Sequence, residues 1–500
     1  MRAARGSVFV SVQSLVTTLI GTVAFAFVAR ILTQTEMGVV VGLTLASGAF
    51  QIISDIGFGN GLVKYVAEYK GDNKDYTLIT FGGILTKVSL AGFLALVCAL
   101  SASQFSSFLL KDAGYAFLFQ LLSLEIFLVC VFTTINKLLI GLSKFMEMTI
   151  LNVIAAATRQ STVISLLVLG YGLRGLVIGW IFGNLIYVVL GCILLLRGRH
   201  IKIHSPIEVG PHLKKIFRFS WPLFFTDLIL FLYSWFDRVI LLAYVSLDGV
   251  AVYNVAFTAF NVISIAPVAL GTALLPYFSE QLGKSMHDRI VVGANASTRY
   301  ISMIFPPLAL GLMSLATPVL TLFAGENYAG GGTILAILSF LGGVAGMGAA
   351  FSVLLLVYSR TLKVLAINIA STGIGIILSF LLLPAIGIIG IAIVKGLVLN
   401  VTFLLTIFTV RRFVPIKFDK RTLSRCWCAA LLMAAVVAVM ARVFTSRYFV
   451  LVHVLIGGGI YFACLRILRV VKEEDISLAR NFLGKRAEPL VKLLRICLVS

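Results

Sequence analysis

Long apolar stretches follow one another along almost the whole of this 500-residue chain. The first extends from Gly6 to Leu32, and comparable stretches recur as far as Val471. A helix needs about 20 apolar residues to cross the hydrocarbon core of a bilayer, so the chain has room for about 14 membrane-spanning helices. We therefore predict an all-α integral membrane protein whose informative residues are the few charges inside its spans.

The composition excludes most soluble classes. Of the residues, 60% are hydrophobic and only 12% are charged, as is typical of a polytopic membrane protein. The formal net charge of +21 would suggest nucleic acid in a soluble protein. Here the basic residues concentrate in loops and in the tail, so membrane topology explains them and no nucleic-acid partner is expected. The seven cysteines show no metal-binding or redox spacing.

The basic loop residues also predict the orientation of the chain. When the connections between spans are numbered alternately, one set holds nearly all of the lysines and arginines. The other set holds only Lys111, Arg174, Arg442 and Arg447. Because positively charged loops stay in the cytoplasm, we predict a multi-pass protein of the cytoplasmic membrane with both termini in the cytoplasm.

An internal repeat divides the predicted spans into two sets. Residues 65–71 and 277–283 share Tyr, Glu and Gly at matching positions, at an offset of about 212. Ser143-Lys144 precedes Asn152 and Asn184 by the same intervals as Ser359-Arg360 precedes Asn368 and Asn400. Both halves contain an even number of spans, which predicts two six-helix lobes related by a pseudo-twofold axis along the membrane normal, with two further C-terminal helices.

These patterns predict five segments. They are an N-terminal lobe at 1–200, a cytoplasmic linker at 201–216, a C-terminal lobe at 217–412, the two extra helices at 425–471 and a basic cytoplasmic tail at 472–500.

Three motifs carry a resemblance to a known family. They are Ala29-Arg30-Ile31-Leu32 with Glu36-Met37-Gly38, the segment 55–62 with Glu68, and the segment 382–390. In this order and spacing the chain resembles the polysaccharide flippases (Wzx-like) of the multidrug/oligosaccharidyl-lipid/polysaccharide exporter superfamily, over essentially its whole length. Val39 and Lys395 depart from the family pattern.

The resemblance implies a function without catalysis. Such a flippase translocates a polyprenyl-(pyro)phosphate-linked oligosaccharide across the cytoplasmic membrane by alternating access, and it has no resident cofactor. The implied partners are the lipid-linked oligosaccharide and membrane lipids, with other polysaccharide-assembly proteins as candidates. The sugar and the polyprenol carrier stay open.

Charges within the predicted spans are the candidate site residues, because an ionisable group at the bilayer centre needs a partner or a wet cavity. Arginine and lysine donate charge-assisted hydrogen bonds to phosphate oxygens. The substrate-binding candidates are therefore Arg30, Lys87, Arg159, Arg238 and Lys395.

Four carboxylates are the candidates for coupling transport to an ion gradient, with Na⁺ or H⁺ as the coupling ion. A buried carboxylate can take up a proton or hold a cation. The four are Asp55, Glu125, Asp227 and Asp237. For both sets of charges an internal salt bridge is the alternative interpretation, and the sequence leaves it open.

Two other functions compete with the flippase. A multidrug or cation antiporter of the same superfamily would need an acidic cavity, whereas basic residues outnumber acidic ones within the predicted spans. A membrane enzyme would need catalytic groups at a membrane face, and the predicted outer loops are short and contain no histidine cluster or metal motif.

Overall fold

The structure is a computed structural model that describes residues 2–202, 204–416, 419–444 and 447–471. Every regular element within these ranges is a helix, which confirms the predicted all-α class. In the same ranges, 10 helices are long and apolar enough to cross a membrane, or up to 11 if one bent pair forms a single span. The total of about 14 spans stays a prediction. The predicted tail at 472–500 lies outside the described residues.

The chain divides into two compact units, Met1–Asn254 and Val255–Ser500. The helices of the first unit are α1 (Arg2–Ile31), α2 (Gln34–Asp55), α3 (Phe58–Gly71), α4 (Thr77–Leu100), α5 (Ala102–Leu110), α6 (Ala116–Gly141), α7 (Phe145–Val168), α8 (Gly172–Arg197) and α9 (Pro206–Tyr244), and α10 (Leu247–Asn261) begins in it. The first unit thus contains the whole predicted linker, of which residues 206–216 lie in α9. The predicted lobe boundaries stay predictions.

Helix α6 lies at the centre of the first unit and packs against α2, α3, α4 and α8. Leu62, Leu138, Leu139 and Tyr187 are fully buried in the core that these helices share. Helix α9 packs against α2, α3 and α4. Its close approach to α4 requires a glycine, because a Cβ atom on Gly82 would lie 2.2 Å from the Val209 side chain.

The helix of the predicted second span is broken, and the break separates α2 from α3. Ile56 and Gly57 have φ values of 44° and 68°, so the helix ends at Asp55. A Cβ atom on Gly57 would lie 2.4 Å from the Ser220 carbonyl oxygen of α9, so both the backbone angle and the packing require glycine. The break leaves Asp55 at a helix end, where its carboxylate accepts hydrogen bonds from the Gly59 N–H.

The second unit contains eight further described helices. They are α11 (Ile265–Gly283), α12 (His287–Ser314), α13 (Ala316–Ala324), α14 (Gly332–Ala345), α15 (Ala349–Val357), α16 (Thr361–Val410), α17 (Lys420–Val443) and α18 (Val450–Ile467). Helices α12 and α13 are bent by 79° at their junction. Helix α16 kinks at Ile386 and Gly387, between two of the predicted spans, where Gly387 has a φ of 63°.

The matched loops of the repeat have the same backbone conformation. Ser143 and Ser359 have φ values of 59° and 54°. The residue after each donates its backbone N–H to a carbonyl five residues back, at 2.8 Å from Lys144 to Leu139 and at 2.8 Å from Arg360 to Leu355. Equal conformations at matched positions are what a duplication predicts.

Candidate functional site

Lys87 of α4 is buried and paired. Its side chain is 2% exposed, and its Nζ donates to the Ser54 carbonyl at 2.9 Å and to Asp55 Oδ1 at 2.5 Å. The Asp55 side chain is 25% exposed. The helix end at Asp55 supplies both acceptors, so a cation and an anion from the two candidate sets neutralise each other at this point.

A polar cavity of about 520 Å³ opens beside this pair in the first unit. Asp55, Asp227 and Lys137 line it, together with Asn60 and Trp235. The Lys137 Nζ donates to Asn60 Oδ1 at 2.8 Å. Asp55 and Asp227 thus face one polar space, and the basic residue that joins them there, Lys137, is one that the sequence did not single out for binding.

Glu125 lies in a separate polar cluster at the centre of the first unit. It is 2% exposed, and its carboxylate accepts hydrogen bonds from Ser47 Oγ at 2.8 Å and from Asn184 Nδ2 at 3.1 Å. Three helices therefore meet at this carboxylate: α2, α6 and α8. The asparagine is one of those matched in the repeat, but the sequence alone did not reveal its partner.

Arg159 of α7 faces the same region, and its charge acts on Glu125. The guanidinium carbon lies 4.9 Å from the centroid of the Trp180 ring, as in a cation–π contact. The Nε atom is buried without a hydrogen-bond partner, and within the described ranges Arg159 forms no ion pair. An arginine in this environment retains donors that an anion could use.

Asp237 and Arg238 adjoin each other in α9 and point to different neighbours, as their helical spacing predicts. Asp237 is fully buried and accepts a hydrogen bond from the Tyr253 hydroxyl at 2.6 Å. Arg238 is 6% exposed, and its guanidinium carbon lies 4.6 Å from the centroid of the Trp235 ring. Trp235 also lines the polar cavity, so Arg238 contacts a residue of its lining.

The two remaining candidates are Arg30 and Lys395. Arg30 is exposed in the last turn of α1. Lys395 of α16 is 3% exposed in the second unit, with its Nζ 5.4 Å from the centroid of the Phe257 ring. Within the first unit the structure thus brings Lys87, Asp55 and Asp227 to one site and Glu125 and Arg159 to another. The assignment of each residue to substrate or ion stays a prediction.

Outside the spans, polar contacts attach the segment after α8 to the start of α4. Burial lowers the pKa of His200, whose Nδ1 lies 2.9 Å from the Tyr76 hydroxyl. A hydrogen bond from the Thr77 hydroxyl lowers the pKa of Asp75. The Thr77 hydroxyl also lies 2.9 Å from His204 Nε2. These contacts hold the beginning of the predicted linker against the first unit.

Solved structures with a similar fold are transporters. A lipid II flippase MurJ in an inward closed conformation matches at 16% identity with a TM-score of 0.76, over 92% of this chain and 98% of that chain. An inward-facing multidrug resistance MATE family transporter of the MOP superfamily matches at 16% identity with a TM-score of 0.66, over 79% and 95% of the two chains. A MOP superfamily transporter from Pyrococcus furiosus matches at 17% identity with a TM-score of 0.56, over 82% and 95%.

The chain is thus a multi-pass membrane protein with the fold of these solved transporters. A family model described as "Polysaccharide biosynthesis protein" matches residues 3–282, more than half of the chain, and one described as MatE matches residues 222–381. The chain belongs to the polysaccharide biosynthesis protein family. No curated protein matches the sequence.

Proposed function

We propose that this protein flips a polyprenyl-(pyro)phosphate-linked oligosaccharide across the cytoplasmic membrane by alternating access, driven by an ion gradient. Membership of the polysaccharide biosynthesis protein family supports the oligosaccharide. The fold shared with a lipid II flippase supports a lipid-linked form of it.

The observation that carries the proposal is the state of Arg159. A guanidinium at mid-span is costly, and it persists only where a partner or water compensates it. Arg159 has the face of Trp180 on one side and a buried Nε without a hydrogen-bond partner, and it forms no ion pair in the described ranges. A phosphate oxygen that accepts hydrogen bonds from this group would meet a need that the protein itself does not meet.

The ion-coupling role is assigned to Glu125. Ser47 and Asn184 hold its carboxylate in place, and Arg159 lies close enough for its charge to act on it. An anionic headgroup that binds Arg159 would share its positive charge with Glu125. The attraction between Arg159 and the Glu125 carboxylate would then be weaker. Glu125 would take up a proton in response, so that proton binding and substrate binding favour each other.

Flipping in proteoliposomes tests the proposal. The substrate carries a fluorophore on the oligosaccharide of a polyprenyl-pyrophosphate, and a membrane-impermeant quencher reports how much label stays outside. We expect Arg159→Gln to slow flipping about tenfold or more, because a charge-assisted contact to phosphate is lost. Arg159→Lys should be intermediate, since lysine keeps the charge without the bidentate geometry.

Arg174→Gln is the matched control. Arg174 is an exposed arginine of the same unit, and it also lies on an aromatic ring, with its guanidinium carbon 5.0 Å from the Phe117 centroid. The Arg174→Gln variant should flip the labelled glycolipid at the wild-type rate. Equal rates for Arg159→Gln and Arg174→Gln would remove Arg159 from the binding site.

Imposed ion gradients test the coupling. In the same vesicles, a pH gradient and a Na⁺ gradient are applied separately. Glu125→Gln should abolish the response to the pH gradient, whereas Glu147→Gln, which changes a carboxylate in the first turn of α7, should keep it. A Glu125→Gln variant that still responds to pH would place coupling elsewhere, and a response to Na⁺ alone would exclude the proton.

The second candidate function is a cation or multidrug antiporter. The MatE match over residues 222–381 favours it, as do the two carboxylates that line the polar cavity. Vesicles loaded with a cationic dye separate the two functions. Dye export without flipping of the labelled glycolipid would replace the first proposal with the second.

A further inference from the structure

A second charged cavity lies in the second unit. It has a volume of about 410 Å³, and its lining residues are Arg360, Lys363, Phe408, Thr409, Arg412 and Phe413. The lining therefore contains three cations and no carboxylate. Within the described ranges none of the three cations forms an ion pair.

Two of the three cations occupy an unfavourable place. Arg360 is the N-cap residue of α16, and Lys363 follows within its first turn. The positive end of a helix dipole favours acidic residues in the first turn and disfavours basic ones. Like charges gathered there also repel one another. An anion in the cavity would therefore reduce both the repulsion among the cations and their unfavourable interaction with the helix dipole.

The first copy of the repeat lacks this accumulation of charge. At the offset that relates Lys144 to Arg360, the residue matching Lys363 is Glu147, an acidic residue in the first turn of α7. The first turn of α16 contains no acidic residue. Two loops with the same backbone turn thus differ in the sign of one charge, and only the second has the composition of an anion site.

The surroundings of the cavity favour a lipid over a soluble anion. Leu362, Leu404 and Phe408 are 79%, 62% and 61% exposed beside the cations. Helix α16 is apolar enough to cross a membrane, and the cations lie at its two ends. Basic residues next to exposed apolar side chains at the end of a span are typical of a headgroup contact at the membrane interface.

We propose that this cavity binds the phosphate of an anionic membrane phospholipid through Arg360, Lys363 and Arg412, with the acyl chains lying on Leu404 and Phe408. The site would anchor the two ends of α16, which both line this cavity, to the leaflet that carries anionic lipid. The proposal does not depend on the flippase function, because it concerns a bulk lipid and needs no transport.

Thermal unfolding of the purified full-length protein in mixed micelles tests the site. A lipid that binds only the folded protein stabilises it by RT ln(1 + [L]/Kd), so the rise of the midpoint with lipid concentration gives an apparent affinity. The probes are phosphatidylglycerol, the zwitterionic phosphatidylcholine at the same mole fraction, and inorganic phosphate without added lipid. We expect phosphatidylglycerol to raise the midpoint and the other two to have little effect.

The test variant combines Arg360→Gln, Lys363→Gln and Arg412→Gln. Each charge near an anionic surface contributes roughly a fivefold change in affinity, so the triple variant should bind phosphatidylglycerol about 100-fold more weakly. The control combines Lys144→Gln, Arg197→Gln and Lys202→Gln, which removes three charges around the matched loops of the first unit. It should bind within about twofold of the wild type.

A single change covers the case in which the triple variant does not fold. Lys363→Glu gives the second loop the charge found in the first, and it should weaken phosphatidylglycerol binding about fivefold or more. Unchanged affinity in a folded triple or single variant would overturn the proposal. A full midpoint shift with inorganic phosphate alone would also overturn it, because the ligand would then be a soluble anion.

Discussion

Removing the Lys87 amine should destabilise the first unit more than removing an exposed charge does. Lys87→Met keeps the length of the side chain and deletes two hydrogen bonds, one to the Ser54 carbonyl at 2.9 Å and one to Asp55 Oδ1 at 2.5 Å. It leaves a carboxylate without its cation next to a buried backbone oxygen. The pair is thus broken from one side, which is the costly way to break it.

The magnitude follows from the burial of the two partners. Removing one member of a fully buried ion pair costs about 3–5 kcal/mol. Lys87 is 2% exposed but Asp55 is 25% exposed, and Asp55 still accepts the Gly59 N–H. Water can therefore compensate part of the loss at Asp55, and we expect a decrease of about 2–3 kcal/mol in the free energy of unfolding.

The assay is reversible unfolding by sodium dodecyl sulfate in mixed micelles, followed by far-ultraviolet circular dichroism. Lys74→Met is the matched control, because Lys74 Nζ lies 2.7 Å from Asp72 Oδ2 but both side chains are at least half exposed. The two pairs have similar contact distances and differ in burial. The control should unfold like the wild type.

Two results would refute the reasoning. If both variants lost the same free energy, burial would not be the cause of the effect. A double variant, Lys87→Met with Asp55→Leu, supplies the second check, since replacing a buried pair by apolar side chains is often nearly neutral. It should recover stability relative to Lys87→Met alone, and a double variant that is less stable still would contradict the pairing.

Two further predictions concern packing and capping. Gly183→Ala should lower the free energy of unfolding by about 1–3 kcal/mol, because its Cβ would lie 2.4 Å from the Cβ of Arg159. Gly458→Ala is the control and should not destabilise the protein, because a Cβ there would have no atom within 4 Å. The same detergent titration compares the two variants. Asp419→Ala should cost about 1 kcal/mol above pH 5, because it removes the N-cap acceptor of Thr422. The hydrogen bond from Thr422 lowers the pKa of Asp419, so the stabilisation is complete above the unfolded pKa and is lost as the pH falls through the folded one. Unfolding curves of the wild type and this variant should therefore converge in acid, and a constant difference would contradict the prediction.

Much of the architecture was predictable because its causes are local. A segment of apolar residues in lipid must satisfy its backbone hydrogen bonds internally, so an all-α class follows from hydropathy alone. The repeat was visible as matched spacings, and the structure has equal turns at Ser143 and Ser359. The candidate charges could be found for the same reason, since a charge within an apolar span stands out in any sequence.

The interruptions of helices were less predictable. The predicted second span passed through Asp55 without a break, whereas the structure ends α2 there and starts α3 at Phe58. At this break Gly57 packs against Ser220 of α9, a residue far away in the chain. A local pattern does not contain that information.

The sequence by itself determined that this chain lies in a membrane as helices, and which charged side chains are costly within its spans. Only the tertiary structure decided what those side chains meet. Lys87 reaches an acceptor 32 residues away, and Glu125 is held by donors 78 and 59 residues away. Hydropathy acts along one helix, whereas ion pairs and hydrogen bonds in lipid form between helices, so partners are set by packing and not by spacing.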